Sequence, residues 1–249
     1  PQHQQNPTVS HPGATPAPYF KAAPSFAGKT LHWTDTTLSL VPNSNDPGNG
    51  VAHSVEVWAQ IAQDNAPSQL HSHATQPDGN LYQELVASRS AQSLYLNPAY
   101  RGVTAKSATG SQECPEQLPS SAAALAAMLP PFADTNILRQ QGFTQAAGNS
   151  SPPTTASLDS IKPSATYPAI ATAPIWTKAG TTNGRTVTDQ VQVDPTSGRV
   201  LMLDSRVVDP NAGISETKSV YGALDVYSSS DVPASEFSAS NQAQEACHA

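Results

Sequence analysis

Charge is scarce in this chain. Asp, Glu, Lys and Arg together make up 12% of its 249 residues, about half of the ~25% usual in globular domains. The surface is therefore wetted mainly by Ser, Thr, Asn, Gln and backbone, a pattern of exported proteins. Positive charge is scarcer still: 12 Lys and Arg stand against 19 Asp and Glu, a net charge of -7. No basic stripe exists to neutralise phosphates, which excludes a nucleic-acid partner. No run approaches the ~18 apolar residues of a membrane helix. Cysteine is limited to Cys114 and Cys247, too few and too far apart for a zinc motif. The numbering also begins at Pro1 rather than Met.

What is present divides into three stretches. Residues 1–24, rich in Gln, Pro, Ala and Thr, offer few apolar anchors before Tyr19 and Phe20. Such composition buries too little surface to offset its ordering, so a flexible linker is expected, tethering the domain to an anchor upstream. A β-rich domain is expected over 25–240 and a carboxyl-terminal tail over 241–249. The two cysteines sit in polar, loop-like stretches, Gln112-Glu113-Cys114-Pro115 and Glu245-Ala246-Cys247-His248. In an exported chain such a pair is expected to form a disulfide. An extracytoplasmic location, periplasmic or at the cell surface, follows from the same features.

Strand signals dominate the domain. Leu31–Val41 precedes a Pro/Asn/Asp/Gly turn, and Val51–Ile61 alternates, with Val55, Val57, Ala59 and Ile61 on one face and Glu56, Trp58 and Gln60 on the other. Gln69–Thr75 and Leu81–Ala87 flank Pro77-Asp78-Gly79, a hairpin signal, and Ser93–Leu96 follows. Ser120–Leu129 has a capping serine, an alanine-rich body and a stop at Pro130-Pro131, so it predicts a helix; Asp134–Gln141, ended by Gly142, predicts a shorter one. A polar loop is expected over 145–164. Strands resume at Ala169–Thr177, Arg185–Val193, Arg199–Val208 and Glu216–Val226. Turns about every ten residues, with helices confined to the middle, predict an α+β fold: a curved antiparallel sheet, a half-barrel meander, with a helical lid on its concave face.

Chemistry is harder to find. Gly28-Lys29-Thr30 lacks the upstream glycine of a phosphate loop, Ala23 standing there instead, so it reads as a strand entry. His71 and His73, two apart on a strand, share a face and with His32 or His53 suggest a metal site; no carboxylate or cysteine at ligand spacing completes it, and a solvated polar face is the expectation. Asp64, Asp78 and Glu84 are expected to serve turns and solubility. No Gly-x-Ser-x-Gly elbow is present and neither cysteine has a nucleophile's setting. A non-enzyme without metal or cofactor is expected.

Val191-Gln192-Val193-Asp194-Pro195-Thr196-Ser197-Gly198-Arg199-Val200 resembles the strand, Asp-Pro, Gly, strand hairpin of the bacterial lipoprotein-carrier superfamily, which includes LolA-type carriers and RseB-type envelope regulators. Tyr221–Val226 with Val232–Phe237 resembles that fold's last strand and closing segment, and Gln76–Gly79 to Tyr95–Pro98 its paired strands. The resemblance implies a half-open sheet curled around helices, with an apolar concave face for acyl chains or a peptide.

On that basis the expected function is an exported, membrane-tethered protein holding a lipid or lipoprotein acyl chain. Trp33, Val57, Trp58 and Ile61 from the first strands, Met202 from the carboxyl half, and Leu125, Met128, Leu129 and Phe132 from the helical segment are its expected cavity residues. Trp33, Trp58 and Trp176 also suit a core, since tryptophan buries a large area. If Ile137, Leu138 and Phe143 turn inward, the concavity fills instead. The alternatives are the sensor or interaction ectodomain of an envelope regulator, which binds another envelope protein and no small ligand, and a secreted hydrolase.

Overall fold

A computed structural model describes residues 19–44, 48–97, 114–146, 161–162, 164–167 and 173–248. Most of the expected linker, most of the 145–164 loop and the start of the strand expected from Ala169 lie outside the described residues.

The first strand, β1 (Phe20–Lys21), pairs with β8 (Phe132–Ala133) in a small separate ladder. The large sheet begins with an antiparallel meander: β2 (Lys29–Leu40), β3 (Ala52–Ile61), β4 (Pro67–Thr75), β5 (Leu81–Ser88), β6 (Gln92–Leu96) and β7 (Glu116–Leu118). Two short helices follow, α1 (Ala122–Ala126) and α2 (Thr135–Gln140), flanking β8. The second half adds β9 (Thr144–Ala146), β10 (Ala165–Tyr167), β11 (Ile175–Thr182), β12 (Arg185–Val193), β13 (Val200–Asp209), β14 (Gly213–Tyr221) and β15 (Leu224–Ser228). Two single 3-10 turns, Ser229–Asp231 and Ala234–Phe237, lead into α3 (Asn241–His248). Thirteen strands join in one curved antiparallel sheet that does not close, and with 52% strand and 14% helix the α+β expectation holds.

β2 organises the sheet. Along one side it pairs with β3; along the other it pairs first with β15, at Lys29–His32, and then with β14, at Asp35–Leu40. β14 and β15 are in effect one strand interrupted at Gly222-Ala223. Tyr221 opposes Asp35 but Asp225 opposes His32, so three residues span what two span on β2. That extra residue is a β-bulge, and beyond it the sheet forks, β14 continuing to β13 and β15 to β10. The strand expected as Glu216–Val226 is therefore two strands.

Local signals act where they stand. Ser121 caps α1, its hydroxyl accepting from the Ala124 amide, and Asp134 caps α2 by accepting from the amides of Asn136 and Ile137. Asn183 and Gly184, at φ 52° and 76°, form the two-residue turn between β11 and β12; β11 runs on to Thr182, past its expected end at Thr177, and β12 spans Arg185–Val193 as expected. In the Asp194–Arg199 hairpin, Asp194 accepts from the Thr196 amide and the Ser197 hydroxyl. Gly198 sits at φ +75°, a backbone conformation that other residues rarely adopt, with the Ala133 carbonyl 3.1 Å from where a Cβ would stand.

One sheet face carries two apolar clusters. Leu31, Trp33, Val55, Val57, Ala59, Ile61, Leu70, Leu85 and Leu94 form the first with Phe26, Leu125 and Phe132. Trp176, Val191, Val193, Val200 and Tyr221 form the second with Leu138 and Phe143 around α2. Tyr19 and Phe20 pack on the second cluster, and Tyr19 meets Phe143 edge-to-face at 5.4 Å. Ordered packing is thus present at Tyr19 and Phe20, ahead of position 25. At the other end, residues 241–248 are no tail: α3 buries Ala243 and Ala246 against Leu81 on the sheet's opposite face. Cys247 joins Cys114 beside β7, with Cα atoms 5.3 Å apart.

Candidate functional site

Alternation on the strands sends every second residue to the face opposite the apolar core, and there the sequence places titratable side chains. His32 on β2, Glu56 and Trp58 on β3, His71 and His73 on β4, Glu84 on β5 and Asp225 on β15 fall in adjacent cross-strand positions. His32 stacks on Trp58 with ring centroids 4.0 Å apart, and its Nε2 lies 2.9 Å from Glu56 Oε1. Its Nδ1 faces Asp225 at 4.0 Å. Burial works to raise the Glu56 pKa, but the hydrogen bond from His32 is the larger effect and holds it below its ordinary value.

Glu84 is the hub. Its side chain is 0% exposed, and its two oxygens accept four hydrogen bonds. Oε1 accepts from His71 Nε2 at 3.0 Å and the Ser240 amide at 2.6 Å; Oε2 accepts from His73 Nδ1 at 2.6 Å and the Ser240 hydroxyl at 2.5 Å. Burial alone pushes a carboxyl pKa up, yet the bonds from His71, His73 and Ser240 outweigh it and hold Glu84 well below the carboxylate range. The Ser240 hydroxyl also accepts from the Ala243 amide, so the same residue caps α3. His71 reaches the carboxyl-terminal segment a second time, its Nδ1 lying 2.7 Å from the Glu236 carbonyl. Trp58, Tyr227 and Val232 close this face with Phe237 packed against them.

A second buried polar group lies between the two apolar clusters. Asp35 accepts from Trp33 Nε1 at 3.0 Å, and its pKa is raised to about 7 by burial, against the pull of Trp33 and Arg199. Arg199, 0% exposed, donates to the Gly222 carbonyl at the bulge. Burial lowers its pKa to about 10 despite Asp35, Asp194 and Asp225 nearby. Arg199 thus anchors the fork of the sheet from the core side.

The expected cavity residues separate. Trp33, Val57, Ile61, Leu125 and Phe132 come together in the first cluster, with Met128 and Leu129 packed against it. Trp58 does not join them; it points to the opposite face, as the alternation of β3 requires. Met202 also stands apart: a register shift at Gln192/Val193 leaves it opposite Gln192 and Val220, one residue out of phase with Val200. Leu138 and Phe143 do turn inward.

The histidines divide likewise. His32, His71 and His73 share the network, whereas His53 stacks on Tyr82 at 3.8 Å. Among the described residues no group of three or more His, Cys, Asp or Glu is arranged to hold a metal ion. Asp64 and Asp78 serve turns as expected, Asp64 also taking Arg89 at 2.6 Å. Glu84 does not: it is the most enclosed carboxylate of the face. Sequence reasoning missed Glu84, Ser240, Asp225 and Arg199; only the polar residue at an interior strand position was a signal. No family model and no curated protein matches the chain. No helix of the described residues is long and apolar enough to cross a membrane.

Proposed function

We propose that this chain is an extracytoplasmic, non-catalytic interaction domain that binds another envelope protein through its surface. The observation that carries this reading is the full burial of the large side chains on the concave face. Trp33 and Leu125 are each 0% exposed, Phe26 lies 6.5 Å from Phe132 across the same cluster, and Leu138 and Phe143 complete the neighbouring one. Side chains buried this fully would have to shift to admit an acyl chain. The polar face supports the non-catalytic part: four donors from the chain itself occupy both Glu84 oxygens, so that carboxylate has no acceptor site left for a substrate. The disulfide and the charge-poor surface suit an oxidising compartment.

The carrier reading implied by the lipoprotein-carrier resemblance has one observation in its favour. Met128 and Leu129, after α1, are only partly buried over the cluster, so this is where a ligand would enter. Titration of an environment-sensitive fatty-acid probe separates the two readings. No saturable binding is expected, with or without Met128→Trp. Saturable binding that Met128→Trp abolishes while the melting temperature is kept overturns the interaction reading in favour of a carrier.

A further inference from the structure

We propose that His71 is a proton-operated latch that fastens the carboxyl-terminal segment, Glu236 to Ser240 and the start of α3, onto the polar face of the sheet. The inference goes beyond the proposed interaction role and stands on hydrogen-bond stoichiometry. His71 Nε2 lies 3.0 Å from a Glu84 carboxylate oxygen and Nδ1 lies 2.7 Å from the Glu236 carbonyl. A carbonyl oxygen only accepts, and an ionised carboxylate only accepts. A neutral imidazole carries one N–H, so it serves one of these partners; the imidazolium serves both. Glu84 does not supply the missing hydrogen: Oε1, the oxygen that meets His71, accepts from the Ser240 amide, and the bonds from His71, His73 and Ser240 hold the carboxyl ionised.

The surroundings favour that charge. Burial opposes it, but the Glu84 hydrogen bond and charge, the Glu236 carbonyl and the more distant Glu56 together raise the His71 pKa above its ordinary value. The other titratable groups on this face are His73 along β4, Tyr95 opposite Glu84 on β6, and His32 and Asp225 beyond Trp58. Glu245 and His248 of α3 are exposed. A histidine whose folded pKa is raised contributes stability fully present below its unfolded value, near 6.5, and lost as pH rises through the folded value. The latch is closed below the unfolded value and is released as pH rises through the raised folded one. Release frees either the Glu236 carbonyl or the Glu84 corner that holds Ser240, the cap of α3.

Motion is confined to one stretch. Val232 is buried on one side of it and the Cys114–Cys247 disulfide pins the other, so Glu236–Ser240 lifts as a strap held at both ends. Phe237, packed on Trp58, Tyr227 and Val232, lifts with it and uncovers the Trp58–Tyr227 pair.

The test combines imidazole nitrogen NMR of His71 with amide exchange protection at Ser240 and Ala243, corrected for intrinsic exchange, from pH 5.5 to 8.5 in the intact oxidised chain. Both His71 nitrogens are expected to be protonated at the acid end. One proton should leave in step with a roughly tenfold loss of protection, the order expected of one charge-assisted hydrogen bond. In His71→Gln the pH dependence of protection is expected to vanish, and in His73→Gln, which removes a single bond to Glu84, it is expected to persist. A singly protonated His71 throughout, or protection that falls equally in His71→Gln, overturns the latch; the wild-type spectra decide the matter even where a variant fails to fold.

Discussion

Asp35 shows how a single residue is set by its neighbours rather than by its type. It follows Trp33 by two positions on β2, shares its face, and is therefore carried into the core with it. Oδ2 takes the indole N–H, while Oδ1 has no hydrogen-bond partner among the described residues. Burial raises its pKa to about 7, so the folded state holds a proton that the unfolded state releases near 4. The sign follows: the cost is absent below the unfolded pKa and is felt as pH climbs toward 7. Asp35→Asn keeps the acceptor for Trp33 and removes the titration. Between pH 4 and pH 8 the wild type is expected to lose up to a few kcal/mol that the variant does not, at ~1.4 kcal/mol per pKa unit. Urea unfolding of both across that range checks it; parallel profiles would show that Arg199 already neutralises the charge.

Among the elements, β1 has the least material and an informative position. Two residues pair with β8, and the Tyr19 carbonyl accepts from the Asp134 amide at the cap of α2. Tyr19 and Phe20 themselves meet edge-to-face at 4.9 Å over the second cluster. Phe20→Ala is expected to cost about 1–2 kcal/mol, the burial of part of a phenyl ring, as a lowered urea midpoint with an unchanged slope. No loss would mean that the segment rests on the domain without stabilising it. The docking of Tyr19 and Phe20 was not legible in the sequence, because two aromatic residues after a polar run look the same whether they dock or not. Alanine-rich helix α1, by contrast, was legible, since its capping serine and the prolines after it act through local geometry.

At the scale of the molecule, the disulfide joins the sheet's β7 edge to the helix that ends the described chain. Cys114 and Cys247 are 133 residues apart in sequence. Closing so long a loop is worth about 4–5 kcal/mol by chain entropy, with measured values often smaller. Replacing both cysteines by serine is therefore expected to lower stability by about 2–4 kcal/mol in urea unfolding. Limited proteolysis is expected to cut first between Ser240 and α3, where the hydrogen bonds of Glu84 and His71 and the packing of Ala243 and Ala246 on Leu81 then hold the segment without a covalent tie. First cleavage elsewhere would show that the bridge is not what keeps α3 on the sheet.

The amino-acid sequence by itself determined the strands, the two capped helices, the hairpin turns and the cysteine pair, because alternation, caps, turn residues and scarce cysteines act over a few positions or by elimination. It also set which side chains of β3 share a face, a matter of period alone. What only the tertiary structure decided is which faces meet. His73 opposes Glu84 because a one-residue shift between Ala74 and Thr75 offsets the β4–β5 register from its turn; without it His73 would oppose Gln83. Asp225 opposes His32 only because of the bulge at Gly222. Ser240 arrives from 156 residues away, along a path no local rule describes. A shift of one residue turns every later side chain to the other face or partner. The polar network therefore depends on bulges and docking whose free energies come from the assembled sheet.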